Sequence, residues 1–300
     1  MTNEPLITVV IPTYNHATML RRALESVVQQ TYQNWNAVVI NNFSTDNTIE
    51  VVNGFKDSRI TCINFKNNGV IAASRNEGID LATGNFVAFL DSDDTWTADK
   101  LEKCVAVLNH GADLVCHAEF WIDENGKSRL VKYGPKSRAT RDQLIYNGNR
   151  ISTSATVVRT SLLKEAKGFD TSPELISTED YDLWIRLAEI SNRFEFIDEP
   201  LGEYHRHDTN VSSNIEKHLH AELALLAKHF ATDSSFPYRL RQLRRRAQAQ
   251  YGAGRSLQRT NKHLLALKKY MRSLVMWPFS IRLYAAIALS IIGLIPPKTK

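Results

Sequence analysis

Three hundred residues, 43% of them hydrophobic, can bury a full core and suit one large domain with an appendage or two modest ones. The formal charge of +5 hides a division: residues 215–300 hold 16 basic and 3 acidic side chains, a net +13, while residues 1–214 carry a net −8. Cys62, Cys104 and Cys116 are widely spaced and form no CxxC pair, so neither a disulfide framework nor a zinc site is indicated, and a reducing compartment fits. No basic-then-apolar leader opens the chain, so a cytoplasmic setting is expected.

Residues 6–11 form an apolar run stopped by Pro12, and residues 17–29 place Leu20, Ala23, Leu24, Val27 and Val28 at helical spacing. A second strand is expected over 35–40, then a cap at Ser44–Thr48 and a helix with Ile49, Val52 and Phe55 inward. A third strand over 60–65 is followed by a turn at Asn67-Asn68-Gly69 and a helix through Ala82. Strands alternating with helices imply a parallel sheet with right-handed crossovers. A helix over 98–108 and a strand over 113–116 continue the alternation.

The apolar run Phe86–Leu90 breaks into Asp91, Asp93 and Asp94 within four positions. Such a run reads as a strand buried on both faces, whose C-terminal end delivers carboxylates to a crevice where open α/β sheets bind ligands. Carboxylates this close repel one another unless a cation joins them, and hard oxygen donors suit Mg²⁺ or Mn²⁺, with a diphosphate as natural client. A plain polar turn, with Asp94-Thr95 opening the next helix, accounts for the same residues.

Beyond residue 118 the pattern changes. Asn125-Gly126 marks a hairpin turn, Thr153 to Arg159 reads as a strand, and Leu162 to Lys167 as a short helix ended by Gly168. Thr178-Glu179-Asp180 opens a helix whose Tyr181, Leu183, Trp184 and Leu187 form an apolar face. From Ile215 onward come helices bearing Arg239, Arg241, Arg244, Arg245 and Arg246. Residues 274–295 carry one charge, Arg282, and the uninterrupted apolar part from Leu283 to Ile295 falls short of the roughly 20 residues of a spanning helix. Basic helices beside such a segment suit attachment to an anionic membrane surface, and packing against protein is the competing account. No nucleic-acid recognition module accompanies the arginines.

Seven motifs in fixed order carry a resemblance: Val9 to Asn15, Ser44 to Asp46, Ser74-Arg75-Asn76, Asp91 to Asp94, Gly168-Phe169-Asp170, Thr178 to Trp184 and Tyr204 to His207. Across roughly its first 210 positions the chain resembles the family 2 glycosyltransferases of bacterial polysaccharide and lipopolysaccharide type. That resemblance implies the GT-A fold, a Rossmann-like α/β domain with a mostly parallel sheet, here over residues 1–214 (1–117 for the nucleotide sugar, 118–214 for the acceptor). Residues 215–300 form a helical extension.

Under the resemblance, Pro12, Tyr14 and Asn15 form the lip of the nucleotide pocket, Tyr14 stacking on the base. Asp91 accepts from a ribose hydroxyl, with Ser92 beside it, and Arg75 supports the carboxylates or the diphosphate. Asp93 binds Mn²⁺ or Mg²⁺, with His207 as a further ligand. Asp180 is the base that takes the acceptor proton, and Asn76, Asp94 and Glu179 support the site. The implied activity is inverting, metal-dependent hexosyl transfer from a nucleoside diphosphate, UDP first, to a saccharide or lipid-linked hydroxyl. One departure is plain: members commonly show two aspartates after the second strand, and here Asn41 and Asn42 stand there, Asn42 at the base-reading position. A non-catalytic relative and a nucleotidyltransferase are the competing classes, the latter without any Gly-rich phosphate loop.

Overall fold

The computed structural model describes residues 4–206, 214–230 and 235–294. They form two compact units, one of Met1–Leu144, Gly148–Pro173 and Glu179–Asp208, the other of Ile145–Asn147, Glu174–Thr178 and Thr209–Lys300.

The first unit is built on a nine-stranded sheet. Its strands are β1 (Ile7–Thr13), β2 (Trp35–Asn41), β3 (Ile60–Asn64), β4 (Phe86–Phe89), β5 (Thr95–Trp96), β6 (Leu114–Ile122), β7 (Ser128–Val131), β8 (Thr156–Arg159) and β9 (Phe194–His205). They lie in the order β3-β2-β1-β4-β8-β6-β9-β5, with β7 on β6. β1 pairs in parallel with β2 and β4, and β2 with β3. β8 is antiparallel to both β4 and β6, so β6 and its parallel partner β9 keep the direction of β1 to β4. The fold is thus the expected GT-A arrangement, a mostly parallel sheet with β5, β7 and β8 reversed.

Helices α1 (Ala17–Val28), α2 (Thr48–Gly54), α3 (Ile71–Asp80) and α4 (Lys100–Leu108) follow β1, β2, β3 and β5. α5 (Arg141–Asn147), α6 (Thr160–Glu165) and α7 (Glu179–Ile190) belong to the second half of the chain's sheet region. The core explains the apolar runs: Ile7, Val9, Val10, Ile11, Val39, Ile40, Val87, Ala88 and Leu90 are completely buried, as strands covered on both faces require. Trp184 is core too, fully buried with Phe89 and Phe169 packed edge-on to it. The expected strand over 153–159 shortens to β8, Thr153 and Ser154 lying ahead of it with their hydroxyls bonded to carboxylates described below.

α3 is held very close to the sheet. A methyl group on Gly78 would lie 2.3 Å from Val10 Cγ1, so only glycine lets the helix rest on β1 and carry Arg75 into the crevice. The opposite case is Gly54, with nothing within 4 Å of its missing Cβ.

The second unit is helical: α8 (Ile215–Phe230), α9 (Phe236–Arg259), α10 (His263–Met276) and α11 (Ile281–Gly293). Leu257, Ala266, Tyr270, Leu283 and Ala286 form one core cluster, and Leu219, Ala249 and Ala253 another. Gly254 allows close approach of α10, since a Cβ there would meet Tyr270 Cε1 at 2.3 Å. Among the described residues no helix is long and apolar enough to cross a membrane.

Thermal and urea unfolding check this packing. Gly78→Ala should cost about 1–3 kcal/mol through overpacking against Val10, whereas Gly54→Ala should add about 0.5–1 kcal/mol by restricting the unfolded chain.

Candidate active site

The parallel strands end in loops that gather the polar residues. β1 runs out at Thr13, and Asn15, at φ 53°, turns the chain into α1. Asn15 N–H donates to Ser44 Oγ (2.9 Å), and its side-chain oxygen accepts from Thr45 N–H (2.7 Å), so the loops after β1 and β2 are sewn together. Asp46 holds both following helices, accepting from Ala17 N–H (2.9 Å) and from Thr48 N–H and Oγ1. Burial opposes its charge, but those hydrogen bonds outweigh it and keep its carboxyl below the ordinary range. Pro12 is buried in β1, and Tyr14 stands 53% exposed beside the crevice. Phe43, 57% exposed just past β2, offers a second bare ring that sequence reading passed over; two unburied aromatics on adjacent loops were its signal.

Asn41 and Asn42 differ in their surroundings. Asn41 is fully buried, donates from Nδ2 to Asn64 Oδ1 (2.8 Å) and accepts from Ser44 N–H (3.1 Å). A carboxylate can do only the second of these. Asn42 is half-buried, and its Oδ1 accepts from Asn67 N–H (3.0 Å), fixing the turn that starts α3.

The acidic stretch after β4 is a tight turn, closed by Asp94 N–H to Asp91 O (3.1 Å). Its carboxylates have separate fates. Asp91 accepts from Arg75 at 2.7 Å. Asp94 is buried and accepts from Ser154 Oγ and from His205 N–H (3.0 Å), which ties the turn to β9. Burial, with the charges of Asp93, Glu119 and Asp91, raises the Asp94 carboxyl well above its usual range. Asp93 is half-buried. Ser92 is buried, its Oγ 3.0 Å from Nδ1 of His16, a contact absent from the sequence reading.

Arg75 joins this turn to α7. Its guanidinium, 4% exposed, donates to Asp91 Oδ1 (2.7 Å) and Glu179 Oε1 (2.8 Å), and it lies 5.4 Å from the Phe169 ring centre. Burial acts against the cation, but Asp91, Glu179 and Asp180 more than offset it and raise its pKa. Asn76 does something else: its amide donates to Phe169 O (2.9 Å) and accepts from Phe169 N–H (2.7 Å), clamping the Gly168 loop. Arg186, paired to Asp182 at 2.7 Å, holds the same loop through Gly168 O.

Asp180 opens α7 on the crevice side. Its Oδ2 accepts from Thr153 Oγ1 (3.0 Å) and its Oδ1 from Tyr181 N–H (2.6 Å). Burial, then the adjacent Glu179 charge, push the carboxyl up to about 6, against the pull of Arg75. Thr153 is the neighbour of Ser154, whose Oγ accepts from Asp91 N–H (3.1 Å). Consecutive residues therefore touch Asp180 and the Asp91–Asp94 turn, placing both carboxyl sets on one crevice. The sequence reading missed Thr153 and Ser154; a run of three hydroxyls before a buried strand was the available sign.

Among the described residues no group of three or more His, Cys, Asp or Glu side chains is arranged to hold a metal ion. Asp94 accepts two hydrogen bonds and Asp91 is bound to Arg75, so a hard cation such as Mg²⁺ or Mn²⁺ here would draw on Asp93 together with oxygens supplied by a ligand. His207 lies outside the described residues.

The family model described as Glycosyl transferase family 2 matches residues 8–166, just over half of the chain. Among curated proteins, the chain is 29% identical over 221 residues to the UDP-Glc:alpha-D-GlcNAc-diphosphoundecaprenol beta-1,3-glucosyltransferase WfgD of Escherichia coli, covering 72% of this chain and 83% of that one. Among solved structures, S. aureus TarS 1–349 in complex with UDP-GlcNAc superposes with a TM-score of 0.63 at 21% identity, covering 96% of this chain and 88% of that one. The mannosyltransferase PcManGT from Pyrobaculum calidifontis, in complex with GDP-Man and Mn²⁺, gives 0.64 at 18% identity, with 99% and 82% covered.

The Arg75 bridge sets a stability test. Arg75→Met leaves the Glu179 and Asp91 carboxylates without their cation and should cost about 3–5 kcal/mol in urea unfolding at neutral pH.

Proposed function

The chain belongs to glycosyl transferase family 2 and is a glycosyltransferase, and from that premise we propose that it moves a sugar from a nucleoside diphosphate, UDP first, to a hydroxyl of a saccharide or lipid-linked acceptor in cell-surface polysaccharide synthesis. The observation that carries this reading is the joining of the acidic turn to Asp180 through Arg75, Thr153 and Ser154. The relative named for UDP-Glc and a diphosphoundecaprenol acceptor supports the choice of donor and acceptor class.

Residues 1–214 serve as the catalytic domain. Tyr14 and Phe43 flank the base, Asn15 holds the lip, Asn42 reads the base edge, and Asp91 takes the ribose. Arg75 orients the Asp91 carboxylate through their 2.7 Å hydrogen bond. Asp93 would hold Mn²⁺ or Mg²⁺, which would supply neutralisation of leaving-group charge. Asp180 accepts the acceptor's hydroxyl proton as the new bond forms. Its elevated pKa suits that task, since a base is most effective when poised near the working pH. Thr153 aims one oxygen and the Tyr181 N–H the other. Attack from the side opposite the diphosphate inverts the anomeric centre.

Residues 215–300 serve as a basic, membrane-associating extension on the cytoplasmic face. Phe279, Ile281, Tyr284, Leu289 and Ile292 of α11 and its approach are all more than half exposed, with Arg282 among them and a net +13 on the segment.

Asp180→Asn should lower kcat by at least about a hundredfold and leave calorimetric UDP affinity unchanged, while Asp93→Asn should abolish the Mn²⁺ dependence of UDP binding. The kcat/KM profile should fall below about pH 6 as Asp180 protonates, and Glu179→Gln, by removing a like charge, should shift that limb to lower pH. The combined change Phe279→Ser, Ile281→Ser and Ile292→Ser should release the protein from phosphatidylglycerol vesicles in flotation; retention would refute the membrane role.

A further inference from the structure

Beyond the residues given roles above, one cluster lies on β6, β7 and β9. The pairing sets Arg129 of β7 opposite Trp121 of β6, and Trp121 opposite Tyr204 of β9, so three strands contribute one row. The Trp121 and Tyr204 ring centres are 5.1 Å apart at 40°. The Arg129 guanidinium carbon is 5.4 Å from the Trp121 ring centre, and that of Arg206, two residues past Tyr204, is 5.8 Å away. The indole is fixed from beneath: Trp121 Nε1 donates to Tyr133 Oη (3.1 Å), which donates to the buried Glu119 (2.6 Å).

The charge here is what needs explaining. Elsewhere in this unit an arginine beside a ring has its own carboxylate: Arg59 over Trp35 pairs with Asp57, Arg159 over Phe86 with Asp113, and Arg75 near Phe169 with Asp91 and Glu179. Among the described residues, Arg129 and Arg206 have none. Both are exposed. Their row begins beside the acidic turn, because His205 N–H donates to Asp94 and Thr95 pairs with Glu203. It is also displaced from the nucleotide lip, with β4 and β8 standing between β1 and β6 in the sheet.

Two guanidiniums without counter-charge around a fixed aromatic pair match an anion that carries a ring. The Arg forks fit phosphate oxygens, and the aromatic faces accept the C–H side of a pyranose. We infer that this row is the acceptor seat and that it selects a sugar diphosphate over a neutral saccharide, Arg129 and Arg206 taking the phosphates and Trp121 with Tyr204 the sugar. This rests on the transferase reading above and assigns the acceptor end of the same crevice.

The test is calorimetric, on the full chain, with two probes: octyl N-acetylglucosaminide and N-acetylglucosaminyl diphosphate bearing the same octyl group. Wild type should bind the diphosphate at least tenfold more tightly. Arg129→Gln with Arg206→Gln should erase that preference while leaving UDP affinity and melting temperature unchanged. Equal binding of the two probes by wild type, or a preference kept by the double variant, would overturn the inference. So would an equal loss of UDP affinity, which would assign the arginines to the donor. Nucleotide-sugar turnover is read separately: a binding preference of the expected kind in a protein that turns over no nucleotide sugar would strike the transferase reading and leave the anion seat standing.

Discussion

Everything in the crevice depends on one buried cation. Arg75 is the only positive charge set between Asp91, at the end of a central strand, and Glu179, at the start of α7, among the contacts described. Without it, two carboxylates would meet at low dielectric with nothing to offset their repulsion and desolvation. The close seat of α3 on Val10 brings the guanidinium there, and the Phe169 ring with its clamped loop closes one side. The hydroxyls of Thr153 and Ser154 complete the join without adding charge, which suits a site that already holds five acidic side chains from Asp91 to Asp94 and at 179 and 180.

The parallel half of the sheet was readable in the chain because its strands are buried on both faces. Phe86 to Leu90 carries no polar residue and Ile7 to Ile11 only the buried Thr8, and α1 shows one clear apolar stripe in Leu20, Ala23, Leu24 and Val27. The carboxylates were readable for the same reason, as a sharp break in a long apolar run. What escaped were the residues whose meaning is relational. Nothing in the local pattern of Ser152-Thr153-Ser154 says that one hydroxyl faces Asp180 and the next faces the Asp91 turn, since that follows from β8 being inserted antiparallel between β4 and β6. Asn76 was legible as a polar residue next to Arg75, but its neighbours in space, Gly168 and Phe169, are more than ninety residues away.

Asn41 illustrates how a departure from a family pattern acquires a local cause. Its amide must give a hydrogen bond to Asn64 and receive one from Ser44, a two-way task that a carboxylate cannot perform. The amide at this position therefore has a reason within the fold. The neighbouring strand β3 supplies the matching Asn64, so the two amides form a pair across the sheet.

The division of labour between residues 179 and 180 has an evolutionary corollary. Glu179 is tied into the Arg75 triad, so drift at 75, 91 or 179 is penalised by the fold itself unless several charges vanish together. Asp180 is held by a threonine hydroxyl and a neighbouring amide and lies in the field of Arg75, a lighter tie to the fold than the two ion pairs of the triad. Descendants of this scaffold should accordingly tolerate change at 180 more readily than change within the ionic triad, which the fold itself polices.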